Sequence, residues 1–310
     1  MALDRDCWPD VTQVRRAILE TLVYADLFDY PLSSDEIVRY LTLPAPPETI
    51  RRQLDAGASD GAFCRSNGFF TLPGRVRLIP VREQRSKIAR AKWTTARQYT
   101  RWIARLPFVR MVAVTGTLAV DNVEESDDID LFIITAAGRL WLCRALVILV
   151  VRAAALAGHE LCPNYFLSER ELRLKDRSFF HAREVAQMVP LYGAETYQRL
   201  RELNTWVEEY LPHAGGTPNG IPILRLGPRE RAVKQGAERL LGGRLGARLE
   251  KWEMQRKIGK FSRLAEAKGG SVLFTPDCCK GHFDHHDETI MRLFEERLAH
   301  YGLSVEPADG

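Results

Sequence analysis

The sequence predicts an α+β protein, and three observations predict it. Apolar residues recur at helical spacing near the N-terminus and close on an Asn-Gly pair between β-formers. Two apolar runs in the middle of the chain are joined by a Gly-Thr step and an acidic loop, the pattern of paired strands. The C-terminal third is rich in helix formers. Together they predict a mixed sheet with flanking helices, preceded by a small helical module and followed by a mainly helical region. The expected boundaries are 1–80, 81–212 and 213–310.

With 310 residues, 45% hydrophobic and 27% charged, the chain has the composition of a folded protein with a real core rather than a disordered one. The net charge of +4 is mild, so its distribution matters more than its sum. Six cysteines without a C-x-x-C or a small-scaffold spacing fit a reducing, cytoplasmic setting. Residues 1–9 lack the apolar core of a secretion signal. The most apolar segment, 140–157, is crossed by Arg144 and Arg152. The charge-free run between them is far short of the roughly 20 residues a membrane span needs. It reads as a buried helix, and no membrane partner is expected.

In chain order, Val14, Ile18, Leu22 and Val23 place a helix over 11–26. Ser33 with Glu36 is a capping-box pair and starts a second helix, which Pro46-Pro47 breaks. A third helix covers 48–56, with Gly57 as its stop. Asn67-Gly68 between Phe63 and Phe70 marks a hairpin. Three short helices and a hairpin resemble a winged helix-turn-helix domain. That resemblance implies a recognition helix at 48–56 carrying Arg51 and Arg52, with the hairpin as wing. The same shape also serves as a packing or dimerisation module, because fold alone does not give function.

Residues 81–110 carry nine basic side chains against one acid, Glu83, with Trp93, Tyr99 and Trp102 between them. The stretch predicts one long helix. Its cations from 82 to 105 suit a nucleic-acid backbone or, equally, a solvated face on a helix anchored by its tryptophans. Strands are expected at 110–115, 128–135 and 160–167, and helices at 178–188 and 195–210 with a turn at 190–193 between them. Gly215, Gly216, Pro218, Gly220 and Pro222 mark a linker. Helices over 228–268 with a weak point at Gly242-Gly243, a strand at 271–275, a polar loop and a last helix over 288–301 complete the reading.

The chemistry concentrates in V-A-V-T-G-T-L-A-V-D-N-V-E-E-S-D-D-I-D-L-F-I-I-T, residues 112–135. Asp128 and Asp130 stand in an apolar strand, where ionised groups need a cation or a hydrogen-bond network. Strand periodicity puts both on one face, with Cα atoms roughly 6–7 Å apart. That separation suits one or two hard divalent ions. A glycine at the preceding turn lets backbone approach a phosphate, and a neighbouring hydroxyl can donate to it.

This stretch resembles the signature of the DNA polymerase β-like nucleotidyltransferase superfamily, hG[GS] followed by Dh[DE]h. Thr115-Gly116-Thr117 matches the first part, ten residues (118–127) intervene, and Asp128-Ile129-Asp130-Leu131 matches the second. Small bacterial nucleotidyltransferase domains are the most similar in pattern. The resemblance covers about 110–167 and implies a nucleotidyltransferase-type mixed sheet. It implies that Gly116 and Thr117 hold NTP phosphates and that Asp128 and Asp130 bind two Mg²⁺ ions, with Mn²⁺ as the alternative. Asp127 stands where the family has Ser, and its side chain is expected on the opposite strand face. The family often adds an acid from a later strand. Asn164 occupies that place, so Glu160 is the substitute candidate and Glu169 a more distant one.

The run 277–287 is dense in Cys, His and Asp, yet adjacent Cys278 and Cys279 do not suit one tetrahedral zinc. Asp284 or Asp287 caps the last helix, and Lys280 is a candidate nucleotide-phosphate ligand. The expected function is a Mg²⁺-dependent transfer of a nucleoside monophosphate from an NTP to a hydroxyl on an unknown acceptor. The alternative is a nucleotide-sensing, DNA-binding regulator or antitoxin-like module with a degenerate site.

Overall fold

Residues 8–268, 273–280 and 286–303 are described by a computed structural model. Helix α1 (Val11–Asp26) opens on a capping box between Asp10 and Gln13 and buries Val14, Ile18 and Leu22. After β1 (Leu32–Ser33), the Ser33–Glu36 capping box starts α2 (Ser34–Tyr40), as the sequence predicts. Helix α3 (Pro47–Ser59) runs through Gly57 rather than stopping there. Gly57 is small for another reason: a Cβ at this position would overlap the Phe63 ring. Strands β2 (Cys64–Ser66) and β3 (Phe69–Thr71) meet at Asn67 and Gly68, both with positive φ, the backbone a tight two-residue hairpin turn demands. These strands form a three-stranded antiparallel sheet in the order β1-β3-β2.

Helix α4 (Leu78–Arg105) leads to β4 (Val109–Val114), the single turn α5 (Gly116–Ala119) and β5 (Ile129–Thr135). Helix α6 (Leu140–Leu156) then crosses to β6 (Leu161–Ser168), which runs parallel to β5. It buries one face only: Trp141, Cys143 and Val147 are inside while Leu156 is 93% exposed. Next come α7 (Phe179–Gln187) and β7 (Val189–Tyr192). The expected turn at 190–193 is therefore a strand, with Gly193 at positive φ just beyond it. Its Pro190, which has no N–H to give a ladder, is accommodated because β7 lies at the sheet edge. The helix expected over 195–210 is split into α8 (Ala194–Glu202) and α9 (Val207–Tyr210). Asn204 breaks it: its amide donates to the Leu172 and Leu200 carbonyls and accepts from Leu174 N–H.

Helices α10 (Pro228–Gly242) and α11 (Arg244–Lys268) follow, divided at Gly243. Lys234 of α10 is buried and donates to the Ala104 and Val109 carbonyls at the end of α4 and the start of β4. Glu250 of α11 accepts the Trp141 and Leu142 N–H groups, satisfying the open N-terminus of α6. Strand β8 (Leu273–Phe274) lies within the strand expected at 271–275, β9 (Cys278–Lys280) replaces part of the expected polar loop, and α12 (His286–His300) is the last described element. The central sheet has the order β7-β4-β5-β6-β9-β8. Cys278 and Cys279 alternate along β9 into two different cores, so they do not converge on one ion. Their expected neighbours His282, Asp284 and His285 lie outside the described residues.

The fold is thus mixed α+β, with two sheets among the described residues. Its first core joins α1 to α3 with Ala182, Val185, Trp206, Val207, Phe294 and Leu298, so the N-terminal module packs on α7, α9 and α12. Among the described residues no helix is long and apolar enough to cross a membrane.

Candidate active site

Antiparallel pairing of β4 with β5 brings the turn after β4 against Asp130, and Thr115 N–H donates to the Asp130 carbonyl at 3.1 Å. Gly116 has φ +66°, and a Cβ there would overlap Asp130 Oδ2. Both the backbone and the close approach therefore call for glycine. Asn122 N–H donates back to the Thr117 carbonyl, folding the acidic loop onto the turn. Asp127 completes that fold. Its Oδ2 accepts from Thr117 Oγ1 at 3.1 Å and from Glu124 N–H at 2.9 Å. Strand β5 begins only at Ile129, so Asp127 sits in the loop and reaches the turn instead of pointing from the far strand face.

Parallel pairing of β5 with β6 sets Asp130 opposite Cys162. One ligand atom from each of Asp128, Asp130 and Cys162 lies within 4.8 Å of the other two. Asn164 Nδ2 donates to Asp130 Oδ1 at 2.8 Å. Burial, then the neighbouring Asp128, raises the Asp130 carboxyl from 3.8 to about 7. Burial and the same two acids push the Cys162 thiol up to about 12. Glu160 stands apart. It precedes β6, its side chain is exposed, and its carbonyl accepts Ile129 N–H at 2.9 Å. Glu169 is at the other end of the strand, accepting from Ala137 N–H.

A cavity of about 580 Å³ lies beside the Gly116 turn and Asp130. Gly116, Thr117, Asp130 and Asn164 line one wall, and His181, Arg183 and Glu184 of α7 line another. Tyr24, Phe28 and Tyr30 of the N-terminal module supply aromatic surface, and Lys280 of β9 joins them. Lys280 Nζ is 2.7 Å from Asp176, which is 3.7 Å from His181. Burial raises the Glu184 carboxyl, against the pull of Arg183 and Lys280. The cavity thus combines carboxylates, cations and aromatic rings.

Of the residues the sequence singles out, Gly116, Thr117, Asp130 and Lys280 line this cavity, and Asp128 stands beside Asp130. Sequence reasoning missed Cys162, which shares a strand face with Asn164 two residues on and was readable by strand alternation. It also missed Arg183 and Glu184, for which α7 offers no signal beyond helical spacing.

The basic stretch of α4 is largely engaged within the chain. Arg82 is buried, donates to the Val120 carbonyl at 2.8 Å, and pairs with Glu36 at 3.0 Å. Arg85 binds Asn122 and Glu124, and Lys92 binds the Glu125 and Asp127 carbonyls. Arg101 and Arg105 converge on Glu230 of α10. In α3, Arg51 pairs with exposed Asp35 at 3.2 Å, and Arg52 donates to Thr49. Compared with protein-family models, with curated proteins and with solved structures, the chain matches none.

Proposed function

We propose that this chain is a metal-dependent nucleotidyltransferase. In this reading the central sheet is a nucleotidyltransferase-type core and residues 1–80 are a winged-helix-like module that walls its cavity. The observation that carries it is the Gly116–Thr117 turn locked against the Asp128/Asp130 pair beside a cavity of nucleotide size. Gly116 leaves room for the Asp130 carboxylate against the turn, and Thr117 presents a hydroxyl that Asp127 orients. Asn164 holds the Asp130 carboxylate in position.

Two neighbouring half-buried carboxylates that repel one another fit a hard divalent cation, Mg²⁺ or Mn²⁺, and Asp128 and Asp130 would hold it. The Cys162 thiol is a soft donor and stays outside a Mg²⁺ shell. When bound, such an ion neutralises triphosphate charge. The reaction forms a bond from an acceptor hydroxyl oxygen to the α-phosphorus, with the hydroxyl proton passing to solvent, and breaks the α–β bridging P–O bond, releasing pyrophosphate. The aromatic side chains of the N-terminal module offer stacking surface to the base.

The test uses labelled NTPs, Mg²⁺ and a panel of hydroxyl-bearing acceptors. Transfer is expected with the wild type and not with D128A/D130A; equal transfer by both overturns the assignment. A second reading, a nucleotide-sensing DNA-binding regulator, is favoured by one observation: an amide, Asn164, stands where an acid would activate the acceptor. It predicts NTP binding without pyrophosphate release, and salt-dependent DNA binding that R51A/R52A abolishes.

A further inference from the structure

Arg183 is the least satisfied cation bordering the cavity. It is only 2% exposed, and its Nε and Nη1 meet no hydrogen-bond acceptor among the described residues. The guanidinium lies over the Tyr40 ring at 3.8 Å and the Tyr24 ring at 4.8 Å. Those ring faces attract its charge and fix its plane, but they leave its in-plane N–H donors without oxygen partners. A buried guanidinium in that condition is costly, and an incoming oxyanion relieves the cost. Lys280 borders the same cavity from another element, so two cations approach it from different directions.

Acids face the same space. Asp176 pairs with Lys280, and Glu184 and Asp287 also line the cavity. The Asp176 side chain is 56% exposed, so it can turn to water when a ligand oxygen replaces it on Lys280. Asp130 and Gly116 belong to a different wall, carried by the strands rather than by α7.

We propose that Arg183 and Lys280 form a phosphate-binding subsite on the α7 side of the cavity, apart from the Asp128/Asp130 pair. Arg183 supplies a planar fork to two oxygens, and Lys280 supplies a point charge to a third. The phosphate belongs either to the nucleotide or to a phosphorylated acceptor. This identification of its source rests on the nucleotidyltransferase reading; the subsite itself does not.

The experiment titrates inorganic pyrophosphate into the full-length protein in EDTA by calorimetry, which removes any contribution of divalent metal. Saturable binding is expected for the wild type and for D128N/D130N. R183Q and K280Q should each weaken it by about tenfold or more, the worth of a charge-assisted hydrogen bond. Wild-type protein that binds no pyrophosphate, or variants that bind it unchanged, overturn the subsite. R183K, which keeps the charge and loses the fork, and K280Q at the cavity rim keep the test decisive if R183Q fails to fold by circular dichroism. ATP that displaces pyrophosphate assigns the phosphate to the nucleotide; ATP that binds beside it assigns the phosphate to the acceptor. Both of those outcomes support the subsite. Pyrophosphate binding in a protein that transfers no nucleotide would separate the two proposals.

Discussion

Asp130 concentrates the electrostatic cost of the cavity in one carboxyl. Burial disfavours its charge first, and Asp128 adds repulsion. With its ordinary value of 3.8 raised to about 7, the folded state keeps a proton that the unfolded chain releases between those pH values. Stability from this group is therefore greatest at acid pH and is lost as pH rises from about 4 towards 7, at roughly 1.4 kcal/mol per pKa unit. Melting of the wild type and D130N in EDTA across this window should show the wild type falling relative to the variant. Parallel curves would refute the buried-carboxyl account. Gly116, Asp128 and Asp130 were legible because their spacing is local and chemically unusual. Arg183 and Glu184 were not, because what makes them notable is the cavity they border, and a cavity has no signature in a single helix.

Among the elements, α4 changes meaning most between sequence and structure. As a string it is a basic stripe suited to nucleic acid. In the fold, Arg82, Arg85 and Lys92 tie down the loop that carries Asp127, and Arg101 and Arg105 tie α4 to α10. Its cations support the site by holding the acidic loop against the Gly116–Thr117 turn. R82M should destabilise the protein by about 3 kcal/mol in urea denaturation, because it leaves Glu36 and two loop carbonyls without their buried donor. A change below about 0.5 kcal/mol, typical of a solvated surface residue, would contradict that role. Helix α1, the Ser33–Glu36 capping box and the Asn67-Gly68 turn of the N-terminal module were legible because each rests on neighbours in sequence. Strand β7 was not, since Pro190 and Gly193 read locally as a turn and only the edge of the sheet makes room for them. Strand β9 was hidden by its polar flanks, and its pairing with β6 is set by residues more than a hundred positions away.

At the scale of the molecule, the N-terminal module is built into the rest. Tyr24 packs edge-to-face on Phe179 of α7 and Phe294 of α12, and Arg39 donates to the Ala186 and Gly215 carbonyls. The cavity lies where these parts meet, with rings from the module, acids from the sheet and cations from α7 and β9. In the proposed reading this arrangement receives a small ligand with a charged end and a planar end. Because the acceptor is unknown, binding is a more direct test than turnover. Calorimetric titration of ATP in the presence and absence of Mg²⁺, on the wild type and on D128N/D130N, examines the metal pair and the phosphate turn together. Mg²⁺ should tighten ATP binding to the wild type by about tenfold or more and leave its binding to the double variant unchanged. The same Mg²⁺-dependent gain in both proteins would contradict a metal site at Asp128 and Asp130.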